Sequence, residues 1–532
     1  MSYLGQVATL FDGTEGLNGT HNFTQVKPNE LIDANSVTYE NGPIQKEGGT
    51  TPYNATPLSG APSILGGFDW WPDPVTQRSI IYTSAGTILR DTGSGTYPTT
   101  VAGGYTTSSI VPFFFEAGKE AAAKNKKLMI LTGKDVPKCI DGDGTTLTAF
   151  TSVPADWSGV NEPSCGSVHQ FHAWYAGNVN QPHTLYYSTL QDHTDLTNTG
   201  MNTGAGTMQV FPGEGSKIVA MLSYKGLLVV WKWPFGVYLV NTTDPNSTNW
   251  GVTRVTSAIG AAGPRAIVVI DDDVLWMDAV GNIQSLVATL NFGNLSSINI
   301  SQQKFMRPWI DANLNISKVQ NAQGVYYAAK RQVHFAVAGF GAAANTYRLV
   351  VDYMHLQSPR FRYSNMDTCQ SLWMRLDTNF IARPASGDGA GVVWLRDQTV
   401  KSIGTNTPYT AQFQTPHLDF SHLDPALGPK RKLGQFLEIV SEPTGNWNIN
   451  AQVLWDGVVK QNIIFNLGIT GSTLGAFTLG TDKLAGGAVN ASRKRLVGSG
   501  RRLSVIFYNN QPGQDFSIAR GYVSFLPGSE RV

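Results

Sequence analysis

The chain has 532 residues, enough for more than one hydrophobic core. Its 39 Lys and Arg residues nearly balance its 38 Asp and Glu residues, which gives a net charge of +1. The net charge alone therefore indicates neither a nucleic acid nor a membrane surface as a partner. Glycine is abundant, at 56 residues, and only 14% of residues are charged, which argues against amphipathic helices and favours an all-β chain with many turns.

Residues 1–60 contain turn signals, among them Asn41-Gly42 and Gly48-Gly49, but no clear strand pattern. We predict that this segment is an extended arm. We expect it to enter the following β-structure and to contribute its first or last strand, closing a propeller.

Residues 61–405 consist of short apolar runs separated by turns, and residues 216–240 are the clearest example. There, the apolar runs 217–222, 227–231 and 237–240 are separated by turns at Lys225-Gly226 and Pro234 to Gly236. Such a meander cannot bury both of its faces alone and needs neighbours of the same kind. Similar units recur at irregular intervals of about 45 residues, within the range of propeller blades. We therefore predict a β-propeller of about seven blades.

The composition changes after Asn406. Longer alternating strands are predicted at residues 433–440 and 447–455, and Asp456-Gly457 is a strong hairpin signal before an apolar run at 458–465. We predict a β-sandwich domain over residues 406–532, so that the chain has an arm (1–60), a β-propeller (61–405) and a sandwich (406–532).

Cysteine usage and the N-terminal residues predict a reducing compartment. Cys139, Cys165 and Cys369 are far apart, which argues against a disulfide framework and predicts buried, small apolar side chains. The N-terminal residues lack the pattern of a secretory signal. No apolar run approaches the about 20 residues that a membrane-spanning helix needs. We expect a chain that folds in the cytosol.

Motifs for catalysis are absent from the sequence, which contains no phosphate-binding loop, no nucleophile elbow and no zinc-binding His-Glu-x-x-His. We place His169 and His172 in one strand, where their odd spacing puts them on opposite faces and prevents a shared metal. Residues 271–273, three aspartates, are typical of a solvated hairpin tip, with calcium as the alternative. We expect no cofactor, no metal and no enzyme activity.

Basic residues concentrate late in the chain, with 12 Lys and Arg against 8 Asp and Glu over residues 408–532. One interpretation is a solvated loop face or salt bridges between subunits. The other is a ring of positive loops that faces a DNA conduit. No recognition helix is visible, so we do not expect sequence-specific binding. The DNA-facing candidates are Lys430, Arg431, Lys432, Arg493, Lys494, Arg495, Arg501 and Arg502.

Several segments in a fixed order carry a resemblance. They are residues 35–49, 168–177, 182–192, 215–221 and 260–267, followed by a β-region with residues 432–436, Asp456-Gly457 and an Arg-rich turn. In this order the chain resembles the tail nozzle or hub (tubular tail) proteins of short-tailed bacteriophages and related phage neck and tail proteins. It departs from them in the arm, where Gln45-Lys46-Glu47 stands in place of consecutive basic residues.

The resemblance implies a structural protein of the virion tail that is assembled in the host bacterial cytoplasm. It implies self-association into a ring, expected to be a hexamer, that contacts adaptor and portal proteins and tail fibres. The lumen of such a ring retains genomic DNA and conducts it during ejection, with non-specific contacts to the passing duplex.

A different class of function is also open. A carbohydrate- or receptor-binding propeller would use exposed tryptophans to stack on sugar rings, whereas core packing is the simpler explanation of such residues. The tryptophans concerned are Trp70, Trp71, Trp174, Trp231 and Trp233. A hydrolase, the third possibility, would need a cleft of converging carboxylates.

Overall fold

The computed structural model describes residues 5–12, 14–20, 26–40, 42–73, 75–106, 111–118, 126–142, 147–200, 203–287, 299–353, 359–377, 379–468 and 490–528. β-Strands dominate these residues. Helical structure among them is short, and its bounded elements are the α-helix Met306–Asn313 and 3₁₀ turns at Ser247–Asn249, Ile300–Lys304, Ile316–Asn321, Ala328–Lys330 and Pro425–Leu427.

Six small antiparallel sheets form the blades of a propeller within the described residues. The first blade consists of Ile64–Asp73, Thr76–Thr83, Ile88–Asp91 and Thr99–Ala102. The second consists of Phe113–Gly118, Lys126–Leu131, Lys138–Asp141 and Leu147–Ala149. The third consists of Cys165–His169, His172–Ala176, Thr184–Tyr187 and Gly206–Gln209. The fourth blade consists of Lys217–Tyr224, Leu227–Trp233, Val237–Asn241 and Gly251–Thr256. The fifth consists of Ile267–Val269, Val274–Met277 and Ile283–Ser285. The sixth consists of Ser371–Leu376, Ala382–Gly387, Val393–Gln398 and Gly49–Pro52.

Four further strands lie between the fifth and sixth blades. They are Gln323–Tyr327, Gln332–Ala338, Asn345–Asp352 and Arg360–Ser364. The innermost, Gln323–Tyr327, packs against the inner strands of both neighbouring blades. The predicted all-β propeller is therefore confirmed. The predicted number of about seven blades differs from the six self-contained ones, because these four strands continue into a larger sheet.

That larger sheet has nine strands and faces a second sheet of seven. The nine-stranded sheet continues through Asp33–Asn35, Ala411–Gln414, Leu503–Asn509, Asn448–Trp455 and Val458–Asn466. The seven-stranded sheet contains Gln6–Asp12, Val37–Thr38, Ile44–Lys46, Lys432–Glu442, Asn490–Arg495, Ser499–Gly500 and Ser517–Pro527. Apolar side chains of both sheets share one core, in which the ring of Phe11 lies 5.6 Å from that of Phe413.

Residues from the arm are divided between these layers. Gly49–Pro52 pairs with Val393–Gln398 and forms the outer strand of the sixth blade, whereas the strands before it join the two large sheets. Strand pairing thus crosses both residue 60 and residue 405. The division of the chain into three domains at those positions stays a prediction.

The fourth blade confirms the meander predicted at residues 216–240. Lys225 and Gly226 both have positive φ, 48° and 79°, in the turn between its first two strands, as a tight hairpin turn requires. The third blade differs from the prediction. A turn at Gln170-Phe171, with φ of 47° and 66°, divides the single strand that we expected.

The two histidines beside that turn consequently oppose each other across a hairpin, so the prediction of opposite faces is wrong. Both ring nitrogens of His169 are hydrogen-bonded, to the hydroxyls of Ser223 and Thr242 at 2.8 Å. Burial lowers the pKa of His169 to about 4. His169 therefore joins the third blade to the fourth as a neutral side chain.

A buried ion cluster fixes the arm where it leaves the seven-stranded sheet for the sixth blade. Oε1 of Glu47 lies 2.6 Å from Nη1 of Arg362, and its Oε2 lies 2.8 Å from Nη2 of Arg348. All three side chains are almost fully buried. Burial alone would raise the pKa of Glu47, but the two guanidinium groups outweigh it and lower the pKa to about 2.

We expect Glu47→Gln to lower the free energy of unfolding by about 3–5 kcal/mol, because two buried arginines lose their charged partner. Urea denaturation followed by tryptophan fluorescence measures the change. Glu116→Gln is the matched control, since Glu116 pairs with Lys126 at the surface and its loss should cost less than about 1 kcal/mol. Equal effects of the two substitutions would contradict the assigned role of Glu47.

The effect of Glu47→Gln on the free energy of unfolding should depend on pH. The pKa of Glu47 is lower in the folded chain than its ordinary value of 4.5, so its contribution is complete above that value and is lost as the pH falls toward about 2. The difference in unfolding free energy between the wild type and Glu47→Gln should therefore shrink across this acidic range. A difference that stays constant there would argue against a charged Glu47.

Candidate functional site: two adjacent edge strands

Two edge strands meet at one end of the large sheets. We call Val458–Asn466 the apolar edge strand and Asn490–Arg495 the basic edge strand. The first is the last strand of the nine-stranded sheet, and the second is the last strand of the seven-stranded sheet. The outer side of each backbone pairs with no strand in the described part of the chain. As far as the described residues show, each edge can therefore pair with or contact another molecule.

Side-chain contacts hold the two edges together. Nε2 of Gln461, on the apolar edge strand, donates to the carbonyl of Arg495 at 3.0 Å, and Oε1 of Gln461 accepts the N–H of Val497 at 2.7 Å. At Asp456 and Gly457 the φ values of 52° and 82° allow the tight turn that starts the apolar edge strand. This turn confirms the hairpin predicted at these residues.

The apolar edge strand exposes large side chains as well as burying them. Val458, Val459 and Ile464 have exposed fractions of 54%, 46% and 59%, whereas Ile463 and Phe465 are buried in the shared core. Leu433, Phe436 and Val497, from the neighbouring seven-stranded sheet and the segment after its basic edge strand, are also exposed. Exposed apolar side chains on an open edge strand are typical of a protein–protein contact.

The basic edge strand carries three of the predicted candidates, Arg493, Lys494 and Arg495, all exposed. Arg493 is paired with Glu438 of the adjacent strand at 2.5 Å, and its guanidinium lies 5.6 Å from the ring centre of Phe436. Its charge is thus partly balanced.

The structure brings four other candidates to the same region from distant parts of the sequence. Arg431 donates through Nε to the Ser499 hydroxyl at 3.0 Å, next to the pairing of Lys432 with Gly500. Lys430 precedes this point, and Arg501 and Arg502 follow it. Their grouping results from strand pairing, because some 60 residues separate the two clusters along the chain.

Lys432 is a correction to the predicted set. Its side chain is fully buried, and Nζ donates to the carbonyls of Leu427, Lys430 and Arg501 at 2.7, 2.9 and 2.8 Å. Burial lowers its pKa to about 8. A side chain used in this way holds loops together and cannot face DNA.

Lys460 is a basic residue that the sequence did not single out. It is exposed on the apolar edge strand, and its side chain lies against Gly498, just beyond the basic edge strand. A lone lysine in an apolar run gives no signal of this kind. Only the meeting of the two edges places it beside the arginines.

The tryptophans considered for sugar binding separate into two groups. Trp70, Trp174 and Trp231 are completely buried and serve as core. Trp71 and Trp233 are partly exposed, and the ring of Trp71 lies 5.7 Å from that of Phe380. Only this second group could stack on a ligand.

The acidic run at the tip of the fifth blade is only partly solvated. Asp271 and Asp272 are exposed, but Asp273 is buried and accepts the N–H groups of Val274 at 2.7 Å and Val287 at 2.9 Å. Within the described ranges, no three or more His, Cys, Asp or Glu side chains form a group that could hold a metal ion.

Cys139, Cys165 and Cys369 are buried and unbridged, as predicted. Among the helices of the described residues, none is long and apolar enough to span a membrane.

Comparisons with known proteins give distant structural similarity. No family model matches the chain, and no curated protein matches it. The WD40 repeats of RRP9 share 9% identity at a TM-score of 0.39, covering 65% of this chain and 99% of that one. YCF48 from Cyanidioschyzon merolae shares 10% at 0.36, covering 64% and 97%. The computationally designed Ika8 protein shares 10% at 0.34, covering 63% and 96%. These similarities carry no argument about function.

If the basic edge strand contacts phosphates, reversing charge there will weaken DNA binding. We expect Lys494→Glu combined with Arg495→Glu to reduce the slope of log affinity against log salt by about 2 for duplex DNA of any sequence. Fluorescence anisotropy at several salt concentrations measures this slope. Lys217→Glu, on the exposed face of the fourth blade, is the control and should leave the slope near the wild-type value. An unchanged slope in the double variant would rule out contact at this strand.

Proposed function

We propose that this chain is a structural subunit of a bacteriophage tail nozzle or hub, which assembles into a ring that retains genomic DNA and conducts it during ejection. The observation that supports this proposal best is the meeting of the apolar and basic edge strands. One edge offers a surface for another copy, and the other offers positive charge beside it.

The apolar edge strand suits contact between copies. A long exposed edge with valine and isoleucine side chains is a liability in a solitary monomer, because its unpaired N–H and C=O groups recruit other chains. When one surface of a subunit binds a different surface of the next, repetition by rotation closes a ring. Val458, Val459 and Ile464 are the side chains that we assign to this contact.

The basic edge strand suits contact with a moving duplex. Lys and Arg side chains bind phosphates without reading sequence, which allows a protein to slide along DNA. The ion pair of Arg493 with Glu438 reduces the net attraction of this strand. Moderate attraction fits a conduit that must release DNA.

A cavity lies between the inner strands of the first, second, fifth and sixth blades, and it is too small for this role. It has a volume of about 370 Å³ and is lined by Phe113, Phe114, Trp373 and Met374, among others. A duplex, whose major groove alone is about 12 Å wide, does not fit in a space of this volume. In the proposed assembly, the conduit lies between copies.

The proposed partners follow from this position. Copies of the chain contact each other in the ring, phage adaptor or portal proteins lie at one end, and tail fibres attach outside. The proposed location is the virion tail, after assembly in the bacterial cytoplasm.

Substitution of a charged residue on the apolar edge strand should disrupt the ring. We expect Ile464→Lys to shift the purified protein from a ring toward the monomer, because the lysine charge would be buried between copies. Light scattering during size-exclusion chromatography and negative-stain images measure this. Val179→Lys is the matched control, since Val179 is also 59% exposed but lies in the third blade's region. A wild-type monomer at all concentrations, or rings in both variants, would contradict the interface.

The tail assignment is tested in particles. We expect antibodies to this chain to label the tail, and we expect particles with Arg431→Glu, Arg495→Glu and Arg501→Glu to change in DNA retention or ejection, because the lumen would repel phosphates. Release of DNA after receptor addition measures ejection. Unlabelled tails, or normal retention and ejection, would overturn the assignment.

A further inference from the structure

A cavity between the inner strands of the propeller contains a cation that has no charged partner in the described part of the chain. Arg265, from the segment before the inner strand of the fifth blade, lines the cavity of about 370 Å³. Nη1 donates to Oε1 of Gln323 at 3.0 Å. Nη2 is shielded from solvent and makes no hydrogen bond, and no carboxylate of the described residues lies within ion-pair distance of the guanidinium.

Neighbouring groups hold the guanidinium of Arg265 in position. Oε1 of Gln323 also accepts the N–H of Leu372 at 3.1 Å, and Nε2 of Gln323 donates to the carbonyl of Leu65 at 3.2 Å. Gln323 is therefore fixed by the inner strands of the first and sixth blades. A Cβ at Gly66 would lie 2.9 Å from both Nη atoms, so a side chain there would have to displace the guanidinium.

Asp69 is the carboxylate that lines the same cavity, and it is already occupied. Its oxygens accept Nε2 of Gln77 at 2.8 Å, the N–H of Leu376 at 2.9 Å and Nε1 of Trp71 at 3.2 Å. Burial raises the pKa of Asp69. Asp69 therefore does not balance Arg265, and its bonds point it toward other groups.

The rest of the lining is mainly apolar and includes Phe68, Phe113, Phe114, Ile267, Val325, Leu372, Trp373 and Met374. Nε1 of Trp373 also has no hydrogen-bond partner among the described residues. Burial lowers the pKa of Arg265 to about 9, and the nearby aromatic ring of Phe114, with its centre 5.8 Å from the guanidinium carbon, carries no charge. An anion beside the guanidinium would compensate its charge.

We propose that this cavity binds a small organic carboxylate, with the carboxylate beside the guanidinium of Arg265 and an apolar body against the aromatic lining. A pocket of a few hundred Å³ with apolar walls and one oriented cation matches the size and chemistry of small-molecule sites. Free phosphate suits the cation but not the walls, because it would lose its hydration without polar partners. The proposal does not depend on the tail function.

Calorimetry with phenylacetate as the probe tests the site on the whole chain. We expect saturable one-to-one binding that is about tenfold or more weaker for the neutral phenylacetamide and for inorganic phosphate. Arg265→Gln should remove phenylacetate binding, whereas Arg520→Gln, at an exposed arginine of the seven-stranded sheet, should not change it.

A second variant keeps the test decisive if Arg265→Gln does not fold. Met374→Trp retains the cation and fills the cavity, so it too should remove binding while circular dichroism shows an intact fold. No saturable binding to the wild type, equal affinity for phenylacetamide, or unchanged binding in either folded variant would overturn the proposal. The phenylacetamide comparison needs no variant and decides the role of charge alone.

Discussion

The arrangement of the layers depends on the carboxylate of Glu47 between two buried arginines. The pair of contacts joins the arm to adjacent strands of the nine-stranded sheet, which carry Arg348 and Arg362. His334 lies beside Arg348, with its Nδ1 3.2 Å from Nη1, and burial together with Arg348 holds its pKa well below the ordinary value. A buried ion pair gives little net stability compared with apolar packing, but losing one partner is costly. The cluster thus favours the arrangement in which both arginines contact the carboxylate of Glu47.

The cavity beside Arg265 and the two edge strands both depend on this arrangement of the layers. The arm's strand Gly49–Pro52 completes the sixth blade, and the inner strand of that blade positions one wall of the Arg265 cavity. The strands before it widen the large sheets, whose far edges carry the apolar and basic edge strands. The propeller interior and the outer edges are separate surfaces. A small ligand in one and a neighbouring copy on the other can therefore coexist.

The local pattern of the sequence predicted much of this fold. Apolar runs and turn residues such as Gly226 and Gly457 indicated the strands and their hairpins, because these features depend on neighbours along the chain. The turn at Gln170-Phe171 was missed because neither residue is a typical turn former. The sharing of four strands between propeller and large sheet was also missed, since apolar periodicity does not reveal which sheet a strand will join.

The sequence predicted the basic residues of the candidate site but not their arrangement in space. The late arginines were visible, but burial of Lys432 depends on three carbonyl groups from separate loops, and the proximity of Lys460 depends on two sheets meeting. The partly exposed Arg265 gave no signal at all. Its significance comes from the absence of a charged neighbour among the described residues, which is a property of three-dimensional packing and not of any motif.

The pairing of Gln6–Asp12 with Ser517–Pro527 has a consequence for biosynthesis. Among the described strands, the early strand pairs only with Ser517–Pro527, which follows more than 500 residues later, and such distant contacts form slowly because a very long loop must close first. Blades whose strands are consecutive can form while translation continues. The two large sheets are completed last, because Gln6–Asp12 and Lys432–Glu442 both pair with Ser517–Pro527, and until then their unpaired strands are exposed to other nascent chains.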